Sequence, residues 1–517
     1  MMGFGRRASN PCLPLNAPKH TTLPQKRTGR AEWPHISPWA IRRVSVNGFV
    51  NAPAINESLL KPQQWANVPA AAAEHTVMSY IPYLKQPPTH TQTGKRLPTE
   101  TPSTSSISED RDDKAAAVNT NSNSDPYGPR QWHSNLIRLE GKNRALNEFS
   151  VERLGEQIDQ NMVMLHGYGA GLGFFYKNFE GLSRVKGWKI YALDLLGMGR
   201  SSRPPFRVNT KDRQTSITET ENWFIDALEE WRVQKKIDRF TLLGHSLGGY
   251  MAVAYALKYP GHLNKLVLAS PVGIPEDPYA VNAAMPEPAD STMANEFQQD
   301  QETGTKKASG EPTRTPLPKW LTYLWDANIS PFSVVRWAGP LGPRFVSGWT
   351  SRRFSHLEPE ESQALHTYAY SLFRQRGSGE YALAYILAPG AFARSPLIRR
   401  IAGVGRQYLQ PDGSTTSTVE SASRGRETGI PIVIMYGEND WMDIAGGYAA
   451  EQKLKEEKDK ILKTASAQEK TEENGSTKVK VIQKAGHHVY LDGWEEFNEV
   501  MREEMEDTSK HCNPRKT

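Results

Sequence analysis

The sequence has few cysteines, no long apolar run and only a slight excess of one charge. Its two cysteines, Cys12 and Cys512, lie in polar tails at opposite ends of 517 residues. That excludes a disulfide framework or a cysteine-rich metal site and fits a reducing interior. No continuous apolar stretch reaches the roughly 18 to 20 residues that span a bilayer, so there is no transmembrane segment and membrane association is expected to be peripheral. A formal charge of +6 is modest at this length, arguing weakly for an anionic partner and against a nucleic-acid binder. Acidic residues are missing altogether from Met1 to Ala31, where Arg6, Arg7, Lys19, Lys26, Arg27 and Arg30 are separated by Ser and Thr. This is the composition of a mitochondrial presequence, with a disordered basic tail as the competing reading because prolines interrupt any amphipathic helix.

What is present is centred on Phe240-Thr-Leu-Leu-Gly-His-Ser-Leu-Gly-Gly-Tyr250. An apolar strand-like run enters a turn with Gly244 and Gly248, and a helix-like run leaves it. G-x-S-x-G in this context is a nucleophile elbow: the turn must be sharp enough to project the serine hydroxyl above a sheet, and only glycine on either side leaves room for the crossing backbones. Ser246 is therefore the candidate nucleophile. The same five-residue pattern can arise by chance in a chain with 40 glycines, so the strand before it and the helix after it carry the weight.

Gln86 to Pro126 is rich in Pro, Thr, Ser and Asn and reads as a disordered linker. Before it, Trp65 to Leu84 has the residues of a short helix lying on the domain or on a membrane. A hairpin is expected around Leu136–Leu139 and Leu146–Val151. Strands at Met162–Leu165, Ile190–Leu193, Phe240–Leu243 and Lys265–Ala269 then alternate with helical stretches, including Glu221–Trp231, which predicts a parallel sheet covered on both faces. Pro275 to Pro318 is a polar insertion. Trp320 to Phe392 is aromatic and helical, with stretches at Glu360–Phe373 and Glu380–Leu387, and resembles a cap between two sheet strands. Polar stretches at Gly403–Gly429 and Glu451–Lys478 read as solvated inserts around the strands Ile432–Tyr436 and Val479–Ile482.

A serine hydroxyl needs an imidazole to take its proton and a carboxylate to orient that imidazole. Each of the last two strands runs into a loop with such a group, in the chain order Ser, acid, His. His487 follows Gly486 directly and is preferred over His488 as the base. Asp440 stands just past its strand and is preferred as the acid, with Asp443 as the alternative. The backbone N–H groups of Leu247 and of Tyr168, in His166-Gly-Tyr-Gly169, are the natural oxyanion donors. No metal, nucleotide or other cofactor is required. A rival reading as a dinucleotide site, built on the glycines after His166 and on Asp194, fails because those glycines are out of register with G-x-G-x-x-G and it leaves Ser246, Asp440 and His487 unexplained.

With these residues in place the chain resembles the α/β-hydrolase subfamily of cardiolipin-specific deacylases, lysophospholipid acyltransferase-like proteins and lipid-droplet lipase co-activators. The matching segments are HGYGAGLGFFYKNFEGL from His166, LDLLGMGRSSRP from Leu193, LLGHSLGGY from Leu242, SPFSVVRWAGPLGP from Ser330 and AGHHVYLDGWEEFN from Ala485. The co-activator branch lacks the serine that this chain carries, so the resemblance implies a working hydrolase nearest the mitochondrial cardiolipin deacylases. It implies an α/β-hydrolase fold, a mostly parallel doubly wound sheet with a helical cap and a disordered N-terminal region. The expected divisions are a basic targeting segment at 1–60, a partly disordered linker at 61–130, core halves at 131–275 and 396–510, and a cap with its polar insertion at 276–395. The implied activity is a phospholipase-type deacylase, peripheral on the mitochondrial inner membrane, with cytoplasm or lipid droplet as the alternative location. Lysophospholipid acyl transfer and a non-catalytic lipase-binding scaffold are the alternative functions. The family's His-x-x-x-x-Asp pattern, met by His487 and Asp492, has been read as an acyltransferase signature, but one imidazole can activate either water or a lysolipid hydroxyl.

The cap segment suits a phospholipid substrate. Between Asp326 and Glu358 there is no acidic residue, while Arg336, Arg344, Arg352 and Arg353 alternate with Phe332, Trp337, Phe345 and Trp349. Aromatic and cationic side chains together fit an anionic lipid surface, and Arg336, Trp337 and Arg344 are the candidate substrate-binding residues. The competing reading makes the aromatics the cap's own core and the arginines its rim.

Overall fold

The structure, a computed structural model, describes residues 67–90, 116–276, 329–388, 392–409 and 425–512. The expected targeting segment 1–60, nearly all of the polar insertion, linker residues 91–115 and residues 410–424 lie outside them.

Nine strands form one sheet: β1 (Ala116–Asn119), β2 (Arg130–Arg138), β3 (Ala145–Arg153), β4 (Gln160–Leu165), β5 (Trp188–Leu193), β6 (Phe240–His245), β7 (Leu263–Ala269), β8 (Pro431–Gly437) and β9 (Ser476–Ile482). Their spatial order is 1-2-3-5-4-6-7-8-9. The first three pair antiparallel, and every pairing from β5 and β4 onward is parallel. Both faces of the parallel part are buried, which is why these strands read as continuous apolar runs. In β4, Met162 and Met164 pack into one face, and Val163 and Leu165 into the other.

The helices follow from the same patterning. Those that frame the site and cover the sheet are α1 (Ala70–Met78), α2 (Tyr176–Leu182), α3 (Arg213–Gln234), α4 (Leu247–Lys258), three cap helices α5 (Pro331–Trp337), α6 (Gly342–Arg353) and α7 (Pro359–Phe373), the short α8 (Leu383–Ile386), α9 (Ile444–Thr464) and α10 (Trp494–Cys512). Caps set their starts: Asp212 accepts from the Thr215 amide at α3, and Ser330 from the Phe332 amide at α5.

Two expectations need correction. The short helix expected within Trp65–Leu84 forms as α1 and packs on the domain, but the linker reading of Gln86–Pro126 fails at its C-terminal part. Helix α1 buries Ala73, Val77 and Met78, and its Glu74 pairs with the fully buried Arg200 and accepts from Tyr368 Oη at 3.2 Å. Downstream, β1 joins the sheet, and the following turn is clamped by a buried ion pair of Asp125 with Arg130 at 2.6 Å. The four residues of β1 are too few to show a period, so its place in the sheet rests on its partner β2. Glu451–Lys478 faces solvent over most of its length, as its charges imply, but it is not an insert. It contains most of α9, the crossover that a right-handed parallel β8–β9 connection requires, with Leu454 buried on its inner face.

Candidate active site

Strand β6 delivers Ser246 in a conformation that only a tight elbow imposes, with φ +52° and ψ −115°. Its amide donates to the Ala269 carbonyl at 3.0 Å, and its own carbonyl accepts from Gly249 and Tyr250 at 2.9 and 3.1 Å. The glycines are obligatory on steric grounds. A Cβ at Gly244 would stand 2.3 Å from the Gly248 carbonyl oxygen, and one at Gly248 would stand 2.5 Å from the Leu165 carbonyl oxygen. Gly167 is equally confined, because a Cβ there would meet His245 Nδ1 at 2.8 Å and Ser246 Cβ at 3.0 Å. The loop carrying Tyr168 therefore lies directly against the elbow.

The loop after β9 brings His487 to the same cleft, and the loop after β8 brings Asp440. His487 Nδ1 and Asp440 Oδ1 are 3.1 Å apart. Burial pushes the Asp440 pKa up, but the facing His487, the Ser270 hydroxyl and the Met442 amide outweigh it, so the net direction is down and the carboxylate is ionised. Asp443 is not part of this arrangement. It is exposed and caps α9 by accepting from the Ala445 amide at 3.0 Å. Asp492 is also elsewhere: it accepts from the Gly486 amide at 3.1 Å and faces His356 at 3.7 Å, tying down the loop that carries His487.

A small cleft is lined by Ser246, Leu247, Tyr168, His245, His487 and His488, with Val272, Leu383, Leu387 and Trp441 completing its apolar wall. Leu247 is the first residue of α4, where amides have no intrahelical acceptor. Among the described residues neither its N–H nor that of Tyr168 is bonded to a backbone carbonyl. Two amide donors, a serine on an elbow and an imidazole backed by a carboxylate are the parts that acyl transfer requires.

His245 was not singled out by its sequence position, yet it supports the base. Its Nε2 donates to the His487 carbonyl at 3.0 Å, and its ring lies 4.8 Å from that of His487. Burial, then the charge of His487, pushes its pKa well down, so it serves as a neutral strut. His166, by contrast, is structural. Its Nδ1 donates to the Gly167 carbonyl at 2.7 Å and its Nε2 accepts from the Leu195 amide at 3.0 Å. Asp194, the acid of the rival dinucleotide reading, is consumed by the amides of Leu172 and Arg200 and by Asn147, each at 2.7 Å. Among the described residues no cluster of three or more His, Cys, Asp or Glu side chains is placed to hold a metal ion.

The cap residues divide. Arg336 turns inward, pairing with Glu380 at 2.5 Å and donating to the Phe373 and Gln375 carbonyls. Its guanidinium is thus spent on holding the cap together, which corrects its expected place as a substrate contact. Phe332 is 6% exposed and stacks between Tyr168 and Phe373 at 5.0 and 4.4 Å. Trp337 and Phe345 are 72% and 57% exposed, with Arg344 also exposed beside them. Phe332 thus belongs to the cap's own core, whereas Trp337 and Phe345 face outward.

A mostly parallel sheet with a serine on a strand-to-helix elbow, followed in chain order by an acid and a histidine at strand ends, defines the α/β-hydrolase class. Residues 160–493 match the family described as alpha/beta hydrolase fold, and the chain belongs to it. It is 35% identical over 306 residues to a "Probable 1-acylglycerol-3-phosphate O-acyltransferase" of Oryza sativa subsp. japonica, a match spanning 58% of this chain and 60% of the rice protein. It is 30% identical over 380 residues to the "1-acylglycerol-3-phosphate O-acyltransferase ABHD5" of Mus musculus, covering 72% of this chain and 85% of the mouse protein. A "(Lyso)-N-acylphosphatidylethanolamine lipase" of Bos taurus is 29% identical over 66% of this chain and 78% of its own length. The chain is an α/β-hydrolase-fold protein with lipid-related relatives.

Proposed function

We propose that this chain is a serine acyl-ester hydrolase that removes a fatty acid from glycerophospholipids. The observation that carries the reading is the gathering of Ser246, His487 and the His487–Asp440 pair at one cleft with two unengaged amides. Ser246 Oγ attacks the acyl carbonyl while His487 takes its proton, and the oxyanion forms against the Tyr168 and Leu247 amides. His487 then hands the proton to the departing glycerol oxygen, leaving an acyl-serine. Water, deprotonated by the same imidazole, attacks the acyl carbon, and the C–O bond to Ser246 breaks to release the fatty acid. Asp440 holds the imidazole tautomer and its positive charge throughout. Cardiolipin at the mitochondrial inner membrane is the proposed substrate and place, motivated by the basic N-terminal composition and the family resemblance; cytoplasm and lipid droplet are the alternatives.

The exposed Trp337, Leu341, Phe345 and Arg344 give the cap an apolar, cationic face suited to an anionic bilayer. Among the described residues no helix is long and apolar enough to cross a membrane. Acyl transfer is the second reading, favoured by the names of the rice and mouse relatives. It differs only in the acceptor, a lysophospholipid hydroxyl in place of water. A third reading, a lipase-binding scaffold, needs no turnover. Purified protein given phospholipid vesicles with and without lysophospholipid separates the three by mass spectrometry of the products. Free fatty acid and lysolipid formed by wild type and not by Ser246→Ala support hydrolysis, and new diacyl lipid outpacing fatty acid supports transfer. Identical product profiles for the two proteins would falsify both catalytic readings.

A further inference from the structure

Trp441 stands next to the proposed acid in sequence and against the proposed base in space. The turn that carries it is pinned to the loop of the base by backbone bonds: the Glu438 amide donates to the Ile482 carbonyl and the Asn439 amide to the Ala485 carbonyl, both at 2.9 Å. The Met442 amide, just past Trp441, donates to Asp440 Oδ1 at 3.0 Å. Asp440 and Trp441 thus reach His487 as one unit, the carboxylate at Nδ1 and the indole with its ring centre 4.9 Å from that of the imidazole. The same indole lines the cleft beside Ser246, and its buried Nε1–H has no hydrogen-bond partner among the described residues. What the side chain offers the site is its aromatic face.

That face can meet the charge made during the reaction. The side chains of His487 and Asp440 are 3% and 0% exposed. An imidazolium formed when His487 takes the Ser246 proton is therefore out of reach of bulk water, and its neighbours must balance it. Those neighbours are Asp440, the rings of His245 and His488 at 4.8 and 5.5 Å, and the carboxyl of Asp492. Neither histidine brings negative charge: burial holds His245 neutral, and His488 accepts from Arg353 through Nε2 at 3.1 Å. Burial pushes the Asp492 pKa up, and the Arg353 charge, felt at both Asp492 and His245, opposes a second cation nearby. Beside Asp440, the indole is the group placed to receive the new charge, because an aromatic face within about 6 Å attracts a cation through its quadrupole.

We propose that Trp441 is a positioning residue of the base, holding the His487 ring and stabilising its imidazolium form by a cation–π contact. The inference rests on the function proposed above, since it needs Ser246 to give its proton to His487. It holds alike for hydrolysis and for transfer, because the same imidazolium forms on the way to the acyl-serine in both. Only the charged imidazole gains from the indole face, so the contact lowers the barrier without tightening the binding of the ester.

The test uses the full chain and the second-order rate at which a fluorophosphonate probe labels Ser246. Trp441→Leu keeps apolar bulk and loses the ring, and it should label at least tenfold more slowly, with Trp441→Phe intermediate. Tryptophan analogues with successive ring fluorines, placed at position 441 by nonsense suppression, keep the indole's shape and draw charge from its face. The rate is expected to fall stepwise along that series. A flat series means that the ring only fills space and overturns the proposal, as does Trp441→Leu labelling as fast as wild type. If Ser246 of wild type does not react with the probe, the parent reading has failed, and fluorescence decides the contact separately. The emission that Trp441→Phe removes should be quenched by acid in wild type, and His487→Gln should abolish that quenching. Quenching that survives His487→Gln, or its absence from wild type, ends the proposal. Circular dichroism and melting temperature establish that each variant is folded.

Discussion

His487 and Asp440 face each other at 3.1 Å across two loops 47 residues apart in sequence, while Asp443, three residues past Asp440, turns to solvent and caps a helix. Two carboxylates that a sequence presents as equivalents thus have separate tasks. Asp440→Asn is expected to lower the acyl-transfer rate by about 10³-fold or more through loss of the orienting charge. Asp443→Ala is expected to keep activity within a few-fold and to cost about 1 kcal/mol of stability from the lost cap. Steady-state rates and urea melts on the two variants check this, and the reverse assignment of effects contradicts it.

The elbow tolerates no side chain at its flanks. Gly248→Ala brings a methyl to 2.5 Å from the Leu165 carbonyl oxygen, where both neighbours are backbone and neither can rotate away. A loss of more than about 2 kcal/mol is expected, read as a lowered melting temperature or as insoluble protein. An alanine variant as stable as wild type means that β4 and the elbow do not approach as described.

Acid should destabilise the fold through its buried histidines. Burial is the largest cause holding the pKa of His90 down to about 2 and those of His166 and His366 down to about 4. Unfolded imidazoles protonate near 6.5, so below that pH the unfolded chain takes up protons that the folded chain refuses. The stability these groups contribute is complete above pH 6.5 and is lost as pH falls towards 4, by up to about 1.4 kcal/mol per pH unit for each histidine. His366→Gln removes one of them, and its melting temperature should fall less steeply between pH 6.5 and 4.5. An unchanged slope argues against a neutral His366.

The exposed cap face gives a binding prediction independent of catalysis. Replacing Trp337 and Phe345 together by serine removes apolar surface worth roughly 1.5 to 3 kcal/mol per side chain when buried. Partition onto anionic vesicles should fall at least tenfold in a flotation assay, with little change in melting temperature. Equal flotation of variant and wild type indicates that this face does not meet the bilayer.

What was legible in the sequence is what local chain geometry dictates. Gly244 and Gly248 around Ser246, the strands read as ending at Tyr436 and Ile482, and the Ser, acid, His order all follow from turns and buried strands whose signals are a few residues long. The preference for Asp440 over Asp443 also rested on distance past the strand, which the observed cap at Asp443 matches physically. What was not legible depends on partners far along the chain. Nothing in G-x-S-x-G assigns a role to His245, yet it braces the His487 carbonyl from 242 residues away. Arg336 looked like a headgroup contact because nothing near it in sequence is acidic, and its partner Glu380 arrives from beyond α7. Glu74 lay in a short helix that the sequence left either on the domain or on a membrane, and the buried partners that place it on the domain, Arg200 and Tyr368, are 126 and 294 residues distant.

The central claim, that Ser246 becomes a nucleophile on the strength of His487 and Asp440, is tested most directly by peptide mass spectrometry after fluorophosphonate treatment. The account predicts one phosphonyl adduct per chain at Ser246, absent from Ser246→Ala and formed at least a hundredfold more slowly in His487→Gln. Wild type that stays unmodified, or His487→Gln that reacts as fast as wild type, contradicts it.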